Sequence, residues 1–204
     1  MSPQKSHKVG IYGGSFDPPH RAHLQLIQQG IAQFELDAMW VLPTPWPSHR
    51  SGPQTDFDHR LRMAELAFGS IPSVKVSDLE RSRPPPSYTV DTLKAVIEQN
   101  PHASLWLFIG ADQAAVFDTW HQWETIMSLC RLVIWARPNA PAPAEPLTRW
   151  HNDHLMKLQF LNCEPMNLSS TQIRDQIRNS PRTQPDGVCD AVWHYLHTHH
   201  LYRI

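Results

Sequence analysis

Short apolar runs alternate with longer amphipathic ones along almost the whole chain, and that alternation most narrows what it can fold into. Val9-Gly-Ile-Tyr12 reads as a buried strand, and His20 to Phe34 as a helix with Leu24, Ile27, Ile31 and Phe34 at helical spacing. Ala38 to Leu42 predicts a second strand, ended by a loop with Pro43, Pro45 and Pro47. Phe57 to Phe68 predicts a second helix, Val74 to Val76 a brief strand, and Thr89 to Gln99 a helix with Val90, Leu93, Val96 and Ile97 on one face. Leu105-Trp-Leu-Phe-Ile109, closed by Gly110, is the clearest buried strand, and Leu132 to Trp135 is another. Leu158 to Leu161 predicts a last strand, and Ser169 to Arg178 and Gly187 to Thr198 the final helices. Such alternation means an α/β parallel sheet with helices on both faces and ligands at the strand C-terminal ends. The length of 204 residues suits one domain, 1–204, and no internal repeat is visible.

Composition removes several function classes. The 18 Lys and Arg stand against 19 Asp and Glu, a formal net charge of -1; nucleic-acid and anionic-membrane partners usually need a basic face. No apolar run approaches the roughly 18 residues of a membrane span. Met1 to Lys8 is polar with no apolar stretch behind it, so no signal peptide is expected. Cys130, Cys163 and Cys189 are far apart and in no metal-ligand spacing, which fits free thiols in a reducing cytoplasm. A cytoplasmic protein is expected, with no structural metal site, and a homo-oligomer stays open.

The segment Gly13-Gly-Ser-Phe-Asp-Pro-Pro-His-Arg-Ala-His23 falls between the first strand and the first helix. Gly13 and Gly14 let the backbone turn sharply and approach a ligand with no Cβ in the way. His20 and His23 are three apart on the first helical turn, so both rings project from one face. The N–H groups and dipole of that turn attract anions, and two imidazole donors there suit a phosphate. The segment is neither a Walker loop nor a GxGxxG turn. On spacing alone, the histidines could also cap the helix or, less readily, bind a metal. Ser169, Ser170 and Thr171 form an N-cap run, and Arg174 one turn on gives that helix an anion-binding reading beside the plain capping one.

These segments resemble the HxGH nucleotidyltransferase superfamily and, within it, the bacterial nicotinate mononucleotide adenylyltransferases. Gly13 to His23 is similar to that family's GG[ST]FDPxHxGH signature, and Ser169-Ser-Thr-Gln-Ile-Arg174 to its SSTxIR. Ser87-Tyr-Thr-Val-Asp-Thr-Leu93, Phe108-Ile-Gly-Ala-Asp112 with Trp120, and Ala136-Arg-Pro138 resemble its middle blocks in order. Ala22 departs from the family's Gly. Pro47-Ser-His-Arg50 stands where many members read PPHK, so His49 matches while Arg50 keeps the charge of Lys but not its shape.

The resemblance implies a Rossmann-like sheet of nucleotidyltransferase type, with 165–204 as its C-terminal helical portion. It implies attack by the phosphate of nicotinate mononucleotide on the α-phosphorus of ATP, giving nicotinate adenine dinucleotide and pyrophosphate in NAD biosynthesis. A phosphate monoester, with a second pKa near ~6, is already an anion at neutral pH, so no protein nucleophile is required. The site has to align the reactants and neutralise phosphate charge. His20, His23 and Arg174 are expected to act on the transferring and leaving phosphates. Gly13, Gly14, Ser15 and Phe16, with Ser169, Ser170 and Thr171, are expected to hold ATP. Mg²⁺ is expected with ATP from the chemistry and the family, not from a carboxylate cluster. On the second substrate, Tyr88 and Thr89 would seat the nicotinate carboxylate, Trp120 would stack on the ring and Asp112 would reach the ribose. Arg137 would take the phosphate, with His49 and Arg50 on the same substrate.

Plainer readings stand beside these. Trp120 and Trp123, three apart, would ordinarily be packing residues, and Asp112 after Gly110 would be a helix N-cap. Arg81 and Arg83 beside three prolines read as a solvated loop or a lid. His194, His197, His199 and His200 read as an exposed terminal helix and tail. The competing functions are the same reaction with nicotinamide mononucleotide, a sister transferase using phosphopantetheine or a cytidylyl donor, and a non-catalytic nucleotide-binding module.

Overall fold

In a computed structural model of the chain, the residues described are 7–45, 55–135, 142–145, 147, 157–164 and 166–202. Strands β1 (His7–Gly14), β2 (Ala38–Pro43), β3 (Val74–Val76), β4 (Ala103–Gly110), β5 (Cys130–Trp135) and β6 (Leu158–Phe160) form one sheet in the order β3-β2-β1-β4-β5-β6. Every pairing is parallel. That order reverses direction between β1 and β4, where a doubly wound sheet leaves a crevice at its carboxyl edge. The ends of β1, at Gly13 and Gly14, and of β4, at Gly110, open onto it.

The alternation of side chains explains why these runs are strands buried on both faces. Leu105, Leu107 and Ile109 of β4 join Val9, Ile11, Leu132 and Ile134 in one core. Helix α3 (Thr89–Gln99) covers that face with Val90, Leu93 and Val96. Trp106 and Phe108 point the other way, into a second core with Tyr12, Met39, Val41 and Val133, beneath α1 (Arg21–Phe34). The buried stripe of α1 is Ala22, Leu26, Ile27, Gly30 and Phe34. Leu24 and Ile31, expected on that stripe, lie half-buried at its margin, because Gly30 lets the helix settle closer to β4 on the adjoining side.

Helix α2 (Phe57–Phe68) packs Ala64 and Phe68 on the second core. Its Met63 joins Ile173 and Ile177 of α6 (Ser170–Asn179) with Val192 and Leu196 of α7 (Asp190–Thr198) in a third cluster. Between β4 and β5 run the short helix α4 (Ala111–Ala114), a 3₁₀ turn (Phe117–Thr119) and α5 (Trp123–Leu129). None of these three short elements is marked by a long apolar period. The last helix starts at Asp190 rather than Gly187. Gly187 has φ 86°, a left-handed conformation that ends any helical run, and Cys189 takes the N-cap position. Among the described residues no helix is long and apolar enough to cross a membrane.

Candidate active site

The site begins with the β1–α1 loop. Phe16 sits at φ 48° and is 1% exposed, its ring edge-on to Tyr12, His23 and Phe68. A Cβ on Gly13 would meet nothing nearer than the Leu42 carbonyl oxygen at 4.0 Å. Gly13 therefore borders open space, whereas a Cβ on Gly14 would press on the Phe16 ring at 3.1 Å.

His20 is the N-cap of α1 and is buried; His23 lies one turn on. The expected same-face pair is a stack, with ring centroids 3.7 Å apart and planes at 25°. The backbone N–H of His20 donates to His23 Nδ1 at 3.1 Å. That bond makes Nδ1 an acceptor, so neutral His23 carries its proton on Nε2. Ala22 is fully buried in the second core, so its methyl group belongs to the packing under α1.

The second motif arrives at the same loop. Ser169 is the N-cap of α6, its hydroxyl accepting from the Gln172 N–H at 3.3 Å. Ser170 Oγ donates to the Pro18 carbonyl at 2.9 Å. Arg174 donates through Nη1 to the Asp17 carbonyl at 2.8 Å and through Nη2 to Thr171 Oγ1 at 3.2 Å. The first turns of α1 and α6 hold no acidic residue, whereas those of α2, α3 and α7 each hold one. Their positive dipole ends are thus not offset by a carboxylate. One α1 donor is already used, since the Arg21 N–H reaches the Gly187 carbonyl at 2.7 Å.

Of the residues expected on the mononucleotide, Tyr88 and Thr89 stand at the start of α3, and Asp112 and Trp120 follow the end of β4. Tyr88 is the N-cap of α3, 38% exposed, and its ring lies 4.2 Å from that of His121. Thr89 opens α3 and is half-buried. Trp120 packs on Phe117, centroids 5.0 Å apart, yet its indole Nε1 is buried with no hydrogen-bond partner among the described residues. Trp123 also packs against the first core, as its plain reading holds. Asp112 is exposed in the first turn of α4. The N-cap there is Gly110, and a Cβ on Gly110 would stand 2.4 Å from Asp112 Oδ1. The capping reading of Asp112 is therefore corrected: the glycine caps, and its missing side chain leaves room for the carboxylate. His49, Arg50 and Arg137 lie outside the described residues.

Four residues that the sequence does not single out are prominent. Asp17 and Arg60 are buried, at 3% and 2% exposure, and Tyr202 donates its hydroxyl to Asp17 Oδ1 at 2.7 Å. Burial pushes the Arg60 guanidinium below its ordinary value and Tyr202 well above its own. Glu80, 8% exposed, accepts from Thr92 Oγ1 at 2.6 Å, and burial raises its carboxyl. Arg83 donates to the same Thr92 oxygen at 2.9 Å, so it is pinned against α3 rather than solvated. The signal that could have found Asp17 lies inside the motif itself, a carboxylate between Phe16 and Pro18; Arg60 and Tyr202 carry no local mark.

A family model described as Cytidylyltransferase-like matches residues 11–176. A relative from Bordetella petrii, named "Probable nicotinate-nucleotide adenylyltransferase", is 39% identical over 199 residues, covering 96% of this chain and 99% of its own. A protein of the same name from Pseudomonas aeruginosa PAO1 is 34% identical, covering 96% and 97%. Among solved structures, Plasmodium falciparum nicotinic acid mononucleotide adenylyltransferase complexed with APC matches with a TM-score of 0.75 at 20% identity, over 96% of this chain and 97% of that one. Its complex with NaAD gives 0.74 at 22% identity, over 96% and 98%. At those identities the structures show the shared fold. The family membership rests on the sequence matches, which run nearly the full length of the chain: it belongs to the nicotinate-nucleotide adenylyltransferase family of cytidylyltransferase-like proteins.

Proposed function

We propose that the chain transfers the adenylyl group of ATP to nicotinate mononucleotide, as the names of its relatives suggest. A mononucleotide phosphate oxygen bonds to the α-phosphorus, the bond from that phosphorus to the bridging oxygen breaks, and pyrophosphate leaves with the electron pair. The observation that carries this reading is the meeting of two acid-free helix N-termini at one loop, with the stacked His20–His23 pair on one and Arg174 on the other. His20 and His23 donate to phosphate oxygens as charge develops, and Arg174 with Ser169 to Thr171 takes the departing pyrophosphate. Gly13 to Phe16 line the ATP side.

A divalent cation accompanies ATP in this chemistry, and Mg²⁺ is the proposed one; it supplies charge neutralisation on the phosphates. Among the described residues no group of three or more His, Cys, Asp or Glu could hold a metal. On the second substrate, Trp120 stacks on the pyridine, Asp112 meets the ribose, Tyr88 and Thr89 take the carboxylate and Arg137 the phosphate, with His49 and Arg50 on the same substrate. Asp91 in the first turn of α3 opposes a carboxylate there, but Arg83, held on Thr92, places a cation beside the same turn. Residues 1–204 act as one cytoplasmic unit in this reading.

The deciding assay is pyrophosphate release with Mg-ATP, comparing nicotinate mononucleotide, nicotinamide mononucleotide and phosphopantetheine at equal concentration. The expected result is strong preference for the first. Equal use of the first two would keep the reaction and withdraw the carboxylate seat. Nucleotide binding with no turnover on any of them would turn the chain into a binding module.

A further inference from the structure

Four backbone carbonyls at and after the end of β1, successive but for one gap, are tied back to the protein. Gly14 O accepts from the Thr44 N–H at 2.9 Å, and Ser15 O from Arg60 Nη1 at 2.9 Å. Asp17 O and Pro18 O go to Arg174 and Ser170, at 2.8 and 2.9 Å. In a trans peptide unit the N–H points opposite to the C=O. Tying back the Gly14 and Ser15 carbonyls therefore turns the Ser15 and Phe16 N–H groups to the other side. Phe16 sits in the left-handed region, which costs a non-glycine residue roughly 1–2 kcal/mol and persists only where its surroundings enforce it.

What enforces it is unusual for a core. Arg60 is a fully buried guanidinium that also donates from Nε to the Thr55 carbonyl at 2.9 Å. Asp17, also buried, accepts from Tyr202 at 2.7 Å and from the Thr55 N–H at 3.5 Å. Its charge offsets part of the cost of burying Arg60, with no direct bond between the two among the described contacts. Burying opposite charges seldom stabilises a fold more than an apolar set of the same volume would. An apolar set, however, could not hold the Ser15 carbonyl, which precedes the Phe16 peptide N–H; the Phe16 ring itself is gripped by Tyr12, His23 and Phe68.

We infer that Arg60, Asp17 and Tyr202 are positioning residues that hold the β1–α1 loop with the Ser15 and Phe16 N–H groups presented to the phosphates of ATP. The inference rests on the proposed reading that this loop takes ATP. None of the three touches substrate; each acts through the loop backbone.

The test uses the full chain with Arg60→Lys, which keeps the charge but not the fork, and Tyr202→Phe, which removes one hydroxyl. A non-hydrolysable α,β-methylene analogue of ATP and nicotinate mononucleotide are titrated separately by calorimetry, and thermal melting is recorded for each variant. Arg60→Lys should weaken the ATP analogue roughly tenfold, as loss of an outer support does elsewhere. Tyr202→Phe should weaken it in the same direction, while mononucleotide affinity stays within twofold of wild type. Analogue affinity unchanged in both variants would overturn the inference, and so would equal loss of both ligands in step with melting. Wild-type protein that binds no ATP analogue would instead overturn the proposed function, and the inference with it.

Discussion

At the scale of single residues, His20 and His23 carry the sharpest expectation. Replacing either by alanine removes one donor from the phosphate side and should lower kcat by about 10²–10³, with the melting temperature little changed. Steady-state pyrophosphate release and a thermal melt on the same preparation check it; activity near wild type in both variants would detach the stack from the chemistry. Glu80 gives a pH prediction. Its carboxyl is raised in the folded protein by burial, so the folded state holds the proton more tightly than the unfolded chain does. That contribution is fully present below the ordinary carboxylate value of 4.5 and is lost as pH rises through the folded value. Glu80→Gln, which keeps the acceptor for Thr92, should therefore melt higher than wild type at pH 7–8, with the gap closing towards pH 4. A gap that widens on acidification would mean the anion is the stabilising form. The histidines were legible in the sequence because their partners are three residues apart and a helix fixes where both rings go. Arg60 was not, since its partners Ser15 and Asp17 lie across the fold.

Among elements, α2, α3 and β3 have the bounds that periodicity predicts, because polar residues or prolines stop each pattern sharply. Strands β1, β4 and β5 run longer than their apolar cores. Residues such as His7, Ser104 and Arg131 are drawn in by pairing with neighbours, which polarity alone does not reveal. Helix α5 was not legible: it spans seven residues and follows Gln122 in a left-handed conformation, so neither length nor a recognisable cap announces it. Gly30 shows packing overriding propensity. A Cβ there would come within 2.7 Å of Phe108 Cε1, a buried ring that cannot step aside. Gly30→Ala should destabilise the protein by about 1–3 kcal/mol through overpacking, offset by at most about 1 kcal/mol of helix propensity. Urea unfolding measures the balance; a stabilised variant would show that α1 can lift off β4 cheaply.

Over the whole molecule, the two helices whose N-termini meet at the β1–α1 loop are supported from different cores. Helix α1 rests on the sheet, while α6 is held by Ile173 and Ile177 against Met63, Val192 and Leu196. Ile173→Ala should cost about 2–5 kcal/mol and weaken ATP more than the mononucleotide, because Ser170 and Arg174 ride on the same helix. Denaturation and separate titrations would read the two effects. A sequence reading places α6 by its Ser-Ser-Thr start but gives no view of this third cluster, which joins α2 to the neighbouring α6 and α7 across most of the chain between them. The Tyr202–Asp17 hydrogen bond spans 185 residues. During synthesis, at ~5–20 residues per second, Asp17 therefore waits on the order of ten to forty seconds for the tyrosine that completes its surroundings. The loop after β1 thus leaves the ribosome 185 residues ahead of the hydroxyl that completes it, so a half-made chain would carry both histidines before their loop is fully held.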